Sequence, residues 1–213
     1  MSRRKYEAHG DRTATGKRRG LQDQLLRRQI ACAAAKLIAE EGLTDYLAAK
    51  MKAARSLLCN TKEALPDNHE IEAALREHLS IFHRDTQPLE LRELRKIAAG
   101  VMRHMKRFSP QLHGPVLNGT ANRFSSIELD VVVDDEKALD LFFLNENMPY
   151  EITPYGAGNS RKQRQTYKFS IDNVRVAATV FMSAAERTQH TVRDGLNISR
   201  ADLAGVDALL RTS

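Results

Sequence analysis

Apolar residues recur at three- to five-residue steps through the first half of the chain, which is the period of an amphipathic helix. Asp67 and Glu70 have the spacing of a capping box, and Pro88 is a residue type that often opens a helix. Polar residues and three glycines fill the first twenty positions without any such period. The pattern predicts four helices, over about residues 21–42, 44–58, 67–82 and 88–108.

After Pro110 the period changes, and apolar residues alternate with polar ones as in half-buried strands. Asp134 or Asp135 is placed to cap a further helix, and Ser199 with Asp202 to open a last one that reaches about residue 210. The short turn Asp172–Asn173 joins two apolar runs as a β-hairpin. Strands are predicted over residues 111–117, 127–133, 166–171 and 174–181, with 150–155 as a strand or an edge segment.

These elements predict an α+β protein, in which an N-terminal helical region precedes a small mixed sheet flanked by helices. The predicted domains are a disordered basic tail over residues 1–20, a helical region over 21–108, and an α+β domain with a C-terminal helix over 109–213.

Composition narrows the class of protein. Hydrophobic residues make up 42% of the chain and charged residues 28%, which is typical of globular proteins. No apolar run approaches the roughly 18–20 residues that cross a bilayer, and no signal peptide is apparent, so a membrane partner is not expected. The two cysteines, Cys32 and Cys59, have no metal-ligand spacing and fit a reducing compartment. The cytoplasm is the predicted location.

The formal net charge of +6 is concentrated at the N-terminus, because residues 1–29 hold nine basic and three acidic residues. Such a segment is attracted to nucleic-acid phosphates or to an acidic protein surface, although a solvated leader is an equal alternative. The residues proposed for nucleic-acid binding are Arg3, Arg4, Lys5, Lys17, Arg18 and Arg19.

The most informative motif runs from the first predicted strand into the second. Gly114-Pro115 and Asn118-Gly119-Thr120-Ala121 form a glycine-containing turn, and Ser125-Ser126-Ile127-Glu128-Leu129-Asp130 follows as an acidic strand. This order resembles the nucleotidyltransferase fold of polymerase-β-like enzymes, over about residues 111–181. The chain is also similar to short bacterial nucleotidyltransferase-like proteins with a helical N-terminal region.

In that superfamily a Gly-Ser turn holds a triphosphate, and a Ser-Asp-Ile-Asp-Leu strand holds two metal ions. The resemblance therefore implies a phosphate site at the turn, with Pro115 in place of the serine. The implied phosphate-binding residues are Gly114, Asn118, Gly119, Thr120, Arg161 and Lys162.

The acidic positions depart from the superfamily pattern. Ser126 stands at the first metal-binding carboxylate, Glu128 at the second, and Ala177 at the third. Because residues two apart on a strand share a face, Glu128 and Asp130 are an alternative carboxylate pair for catalysis and metal binding. Mg²⁺ is the cofactor in that case. The other interpretation is that these acids cover a solvent-facing strand surface.

Two other patterns bear on nucleic-acid binding. The stretch 27–43 is similar to the first helix of TetR-type repressors, but the expected turn glycine is missing after it. Basic residues over 50–55 and 92–107 suit a phosphate-binding face or ordinary charged helix surfaces.

The predicted function is therefore that of a catalytically degenerate nucleotidyltransferase-like protein that binds nucleotide or nucleic acid in an accessory or regulatory role. One alternative is an active metal-dependent nucleotidyltransferase using Glu128 and Asp130. The other is a structural partner protein that docks through its basic tail. The sequence does not indicate the oligomeric state.

Overall fold

The structure is a computed structural model that describes residues 12–58, 65–135, 137–155, 164–190, 192–193 and 196–212. The chain divides into two compact units, Met1–Leu75 and Arg76–Ser213, and the boundary falls within the third helix.

The first unit is helical. Helix α1 spans Arg12–Glu41, α2 spans Tyr46–Ser56, and α3 begins in this unit and spans Asn68–Phe82. Its core is made mainly of small residues, with two isoleucines, which lets helices approach closely: Ile30, Ala31, Ala34, Ala49, Ala53, Ala54 and Ile71.

Local signals set the helix starts in this unit. The Asp45 side chain accepts hydrogen bonds from the amides of Leu47 and Ala48, as an N-cap residue does. Asp67 and Glu70 exchange side-chain-to-amide hydrogen bonds of 2.7 and 2.8 Å, which confirms the predicted capping box. Helix α1, however, begins at Arg12, before the predicted start at residue 21. The added residues are mostly basic and small types that tolerate a helix without supplying an apolar period.

The second unit combines helices with two sheets. Its further helices are α4 Gln87–His104, α5 Pro115–Asn118, α6 Ala138–Asn145, α7 Ala184–Gln189 and α8 Leu203–Thr212, with a 3₁₀ turn at Lys106–Phe108. Its strands are β1 Gln111–His113, β2 Ile127–Val132, β3 Glu151–Tyr155, β4 Arg164–Ile171, β5 Val174–Phe181, β6 Val192–Arg193 and β7 Leu196–Asn197.

The main sheet has five strands in the order β1-β2-β5-β4-β3. Strands β2 and β5 are parallel, and the other pairs are antiparallel, so the sheet is mixed. Strands β6 and β7 form a separate pair. The α+β class and the mixed sheet flanked by helices are confirmed.

One face of the sheet packs into the hydrophobic core. The buried strand residues on this face are Leu112, Ile127, Leu129, Val131, Tyr167, Phe169, Val176 and Ala178. They share a core with residues of α4, α6 and α8, including Ala98, Phe143 and Val206. The predicted domain start at residue 109 therefore falls inside the second unit, because the apolar face of α4 is buried in the same core as the sheet.

Two strand predictions had different outcomes. The β4–β5 hairpin is confirmed, and both turn residues, Asp172 and Asn173, have positive φ, at 51° and 64°. The prediction of one strand over 111–117 is wrong, because β1 ends at His113 and a helix starts at Pro115. Gly114 between them has a φ of 73°, which reverses the chain before a strand can continue.

Among the described residues, no helix is both long and apolar enough to cross a membrane.

Candidate functional site

The polar face of the sheet carries both acidic residues that the sequence singled out. Side chains alternate along a strand, so Glu128 and Asp130 lie opposite the buried Ile127 and Leu129. Glu128 is in register with His113 on β1 and with Ala177 on β5. The structure therefore brings the predicted second and third metal positions side by side.

Asp130 is buried, and both of its carboxylate oxygens contact basic side chains. The Arg200 guanidinium donates from Nε to Oδ2 at 2.7 Å. His113 Nε2 lies 3.1 Å from Oδ1, an ion-pair contact without the alignment of a hydrogen bond. Burial alone raises the pKa of Asp130, but His113 and Arg200 outweigh it, so the pKa lies below its ordinary value. Asp130 is thus an ionised, internally paired carboxylate and not part of a solvent-facing surface.

His113 lies between the two carboxylates. Its Nδ1 atom is 3.4 Å from Oε2 of Glu128, while its Nε2 atom faces Asp130. The side chain is 5% exposed, so the ring is held almost wholly inside the protein. The ring therefore contacts both carboxylates at once, Glu128 through Nδ1 and Asp130 through Nε2.

Glu128 leans toward β1 and packs against the backbone of Gly114. A Cβ atom built on Gly114 would lie 2.9 Å from Glu128 Oε2, which is closer than real Cβ contacts. The space beside Gly114, which the resemblance assigned to a phosphate, is therefore occupied by a carboxylate of the same chain.

Arg200 is positioned from a distant part of the chain. The next residue, Ala201, forms a bridge to Leu112 through hydrogen bonds of 2.8 and 2.9 Å, which fixes the segment beside β1. The Arg200 guanidinium also donates to the His190 carbonyl at 2.6 Å. It therefore ties the end of α7 to the centre of β2.

A buried guanidinium, that of Arg187, lies near this network. Arg187 on α7 donates to the carbonyl of Ser109. Burial lowers the pKa of Arg187, the charge of Asp130 opposes that effect, and the charge of Arg200 adds to it. The three charges are thus close enough to interact.

The glycine turn is held by side chains of α4. Gln87 Nε2 donates to the carbonyls of Gly119 and Ala121, at 3.0 and 2.9 Å. Arg95 is buried and donates to the carbonyls of Val116 and Leu117, at 3.2 and 3.3 Å. These bonds satisfy carbonyls at the end of α5, which spans only four residues.

The predicted phosphate-binding residues have different positions. Gly114 precedes α5, Asn118 is its last residue, and Gly119 follows it with a φ of 82°. Thr120 is buried. Arg161 and Lys162 lie outside the described residues.

The predicted nucleic-acid residues fall at the N-terminus. Arg3, Arg4 and Lys5 lie outside the described residues. Lys17, Arg18 and Arg19 fall in the first turns of α1.

Most basic residues of α4 that suited a phosphate-binding face have partners within the second unit. Arg95 holds the α5 carbonyls, Lys96 pairs with Glu93 at 2.6 Å, and Arg103 pairs with Asp207 at 2.6 Å. These three side chains therefore bind carbonyls or carboxylates of the same unit, which leaves less positive charge for a phosphate ligand.

The basic side chains around Asp130 were not predicted from the sequence. His113 directly precedes the glycine that was singled out, so its place on β1 opposite Glu128 was a usable signal. Arg187 and Arg200 gave no local signal, because Arg200 lies 70 residues from its carboxylate partner.

The metal ions that the nucleotidyltransferase resemblance implies do not fit this donor set. Both oxygens of Asp130 contact cationic or protonatable groups, and Ala177 offers no ligand beside Glu128. Two-metal sites need several carboxylate oxygens that bridge the ions. A divalent ion would have to displace the Arg200 pair to reach Asp130.

Comparison with known proteins assigns no family: no protein-family model matches the chain, and no curated protein matches it either.

Proposed function

We propose that this chain is a catalytically degenerate nucleotidyltransferase-like protein that binds a nucleotide or a nucleic acid without a catalytic metal. The observation that carries the proposal is the pairing of Asp130 with both His113 and Arg200. An acidic strand at this place in an α+β sheet suits nucleotidyl transfer only if its carboxylates hold metal ions. Here the better-buried carboxylate is neutralised by the protein itself.

An accessory or regulatory role follows from binding without transfer. The polar face keeps Glu128 partly exposed beside the glycine turn, and Lys168 and Arg175 lie on the same face of the sheet. Such a face offers hydrogen-bond donors and charge to a phosphorylated ligand, while Asp130 is already paired with His113 and Arg200.

A thermal-shift screen of nucleoside triphosphates, with Mg²⁺ and with EDTA, tests the proposal. Because a ligand that binds the native state raises the melting temperature, we expect a stabilisation of equal size in both conditions. A shift that requires Mg²⁺ favours the active enzyme. No shift with nucleotides or with single-stranded oligonucleotides at low salt favours the structural partner and contradicts the proposal.

A further inference from the structure

The polar face of the sheet has a second region, away from Asp130, that the buried charge network does not use. Ala177 is in register with Glu128 on one side and with Lys168 on the other. Arg175 precedes Ala177 by two residues and so lies on the same face. We call Ala177, Lys168 and Arg175 the cationic shelf.

The centre of the cationic shelf is a small side chain with a positive charge on two sides. Lys168 and Arg175 are exposed, and Ala177 between them is partly exposed. Residues opposite each other on neighbouring strands have Cβ atoms about 5 Å apart, and two residues along a strand span about 7 Å. The space above Ala177 is therefore within reach of both cations.

The nearest carboxylate on β2 points away from this space. Glu128 contacts His113 and Gly114, both on the β1 side of its strand, whereas the shelf lies on the β5 side. Its charge is thus directed toward the His113 ring.

The two cations keep donors for a ligand. Arg175 uses one terminal nitrogen to donate to the Phe124 carbonyl at 2.8 Å, which fixes the guanidinium in place. Lys168 forms no ion pair with any residue that the structure describes, including its cross-strand neighbour Glu151. A fixed guanidinium beside an ammonium on a flexible stem is a combination that suits phosphate oxygens.

We propose that the cationic shelf binds the polyphosphate of a nucleotide directly, with Lys168 and Arg175 supplying the charge that a divalent ion would otherwise supply. This inference rests on the proposed function and names the residues that hold the ligand. It also explains why an alanine stands beside Glu128, since a carboxylate there would repel the phosphate from both cations.

Calorimetric titration in EDTA tests the inference on the full chain, with ATP, sodium tripolyphosphate and adenosine as separate ligands. We expect ATP and tripolyphosphate to bind and adenosine not to bind, because the phosphates carry the recognition. Lys168→Ala weakens both by roughly tenfold or more, as expected for a lost charged hydrogen bond. Lys168→Arg keeps most of the affinity.

Two further variants sharpen the test. Ala177→Asp places a carboxylate between the cations and abolishes binding in EDTA. Lys106→Ala removes an exposed lysine outside the sheet and leaves binding unchanged. Amide chemical shifts of the wild-type chain provide a readout without substitution, and tripolyphosphate should move those of Lys168, Arg175 and Ala177 first.

The outcomes separate the two proposals. If wild-type protein binds ATP in EDTA but Lys168→Ala and Ala177→Asp bind it equally well, the shelf is excluded and the proposed function stands. Binding of an oligonucleotide but not of tripolyphosphate likewise excludes the shelf and leaves the proposed function standing. If no nucleotide or oligonucleotide binds, both proposals fail.

Discussion

Asp130 is a strand carboxylate whose role is set by neighbours from distant parts of the chain. On β2 alone it continues the alternation of acidic and apolar residues and resembles a metal ligand. In the folded unit it is buried between His113 and Arg200, so its charge serves the fold. Breaking a buried charge pair by removing one partner costs more than the pair contributes, because the remaining charge stays desolvated.

Asp130→Asn should therefore destabilise the second unit by about 3 kcal/mol at neutral pH. The folded-state pKa of Asp130 is lower than its ordinary value of 3.8, so the ionised carboxylate stabilises the fold above that pH. This stability is lost as pH falls through the folded-state pKa. Urea titrations of both proteins should show a free-energy difference that is constant near neutrality and shrinks below about pH 4. A difference that persists unchanged into acid contradicts this role.

Gly114 combines a positive φ with a close contact to the Glu128 carboxylate. Gly114→Ala adds a Cβ at a φ of 73° and within 2.9 Å of the Glu128 carboxylate. We expect a loss of about 1–3 kcal/mol in the free energy of unfolding, from backbone strain and displacement of Glu128.

Gly100→Ala is the matched control for that substitution. Gly100 lies within α4, and an added Cβ there would meet no atom within 4 Å beyond the backbone of its own helix. This change should stabilise by about 0.5–1 kcal/mol, because alanine favours a helix. Equal effects of the two substitutions in chemical denaturation would show that Gly114 has no special role.

At the scale of elements, the sequence predicted the structures that are defined by neighbouring residues. The capping box at Asp67, the alternation along β2 and the turn at Asp172–Asn173 depend on residues a few positions apart, and all are present. The end of β1 was missed because apolar residues continue through Val116 and Leu117, although Gly114 redirects the backbone.

Helix α5 is an element that depends on a side chain elsewhere in the sequence, that of Arg95. The four-residue helix α5 has too few internal hydrogen bonds to persist alone, and Arg95 of α4 binds two of its carbonyls. Arg95→Met should cost about 2 kcal/mol of stability, because buried carbonyls lose their donors.

Lys96→Met provides the comparison one residue later on α4. Lys96 is exposed and forms a surface pair with Glu93, so its loss should change stability by less than about 0.5 kcal/mol. Thermal and urea unfolding distinguish the two. A loss for Lys96→Met as large as for Arg95→Met would contradict the assignment of Arg95 to the α5 carbonyls.

At the scale of the whole molecule, the second unit has a hydrophobic core of its own. The buried residues of that core run from Leu94 to Val206, and the described partly buried residues packed on it run from Leu91 to Leu210. The sequence placed α4 with the other helices because periodicity shows that a helix has an apolar face but not what covers it. The partners of Asp130 could not be predicted for the same reason, since no local pattern near Asp130 indicates that Arg200 packs against it.

A fragment that starts after α3, at residue 84, should fold without the first unit, because it retains this entire core. We expect a cooperative thermal transition by circular dichroism and dispersed amide resonances. Ala98→Asp, which places a charge in the core, should abolish the transition in the same fragment. A fragment without cooperative unfolding would show that the core is not self-sufficient.

The most direct test of the central claim is a titration of the full chain with Mn²⁺, followed by electron paramagnetic resonance, in the presence of saturating ATP. If Asp130 is neutralised by its protein partners, wild type and Glu128→Gln should show the same Mn²⁺ binding as ATP alone. A saturable protein site for Mn²⁺ that Glu128→Gln removes would instead show that these carboxylates hold a metal ion, and it would contradict the account.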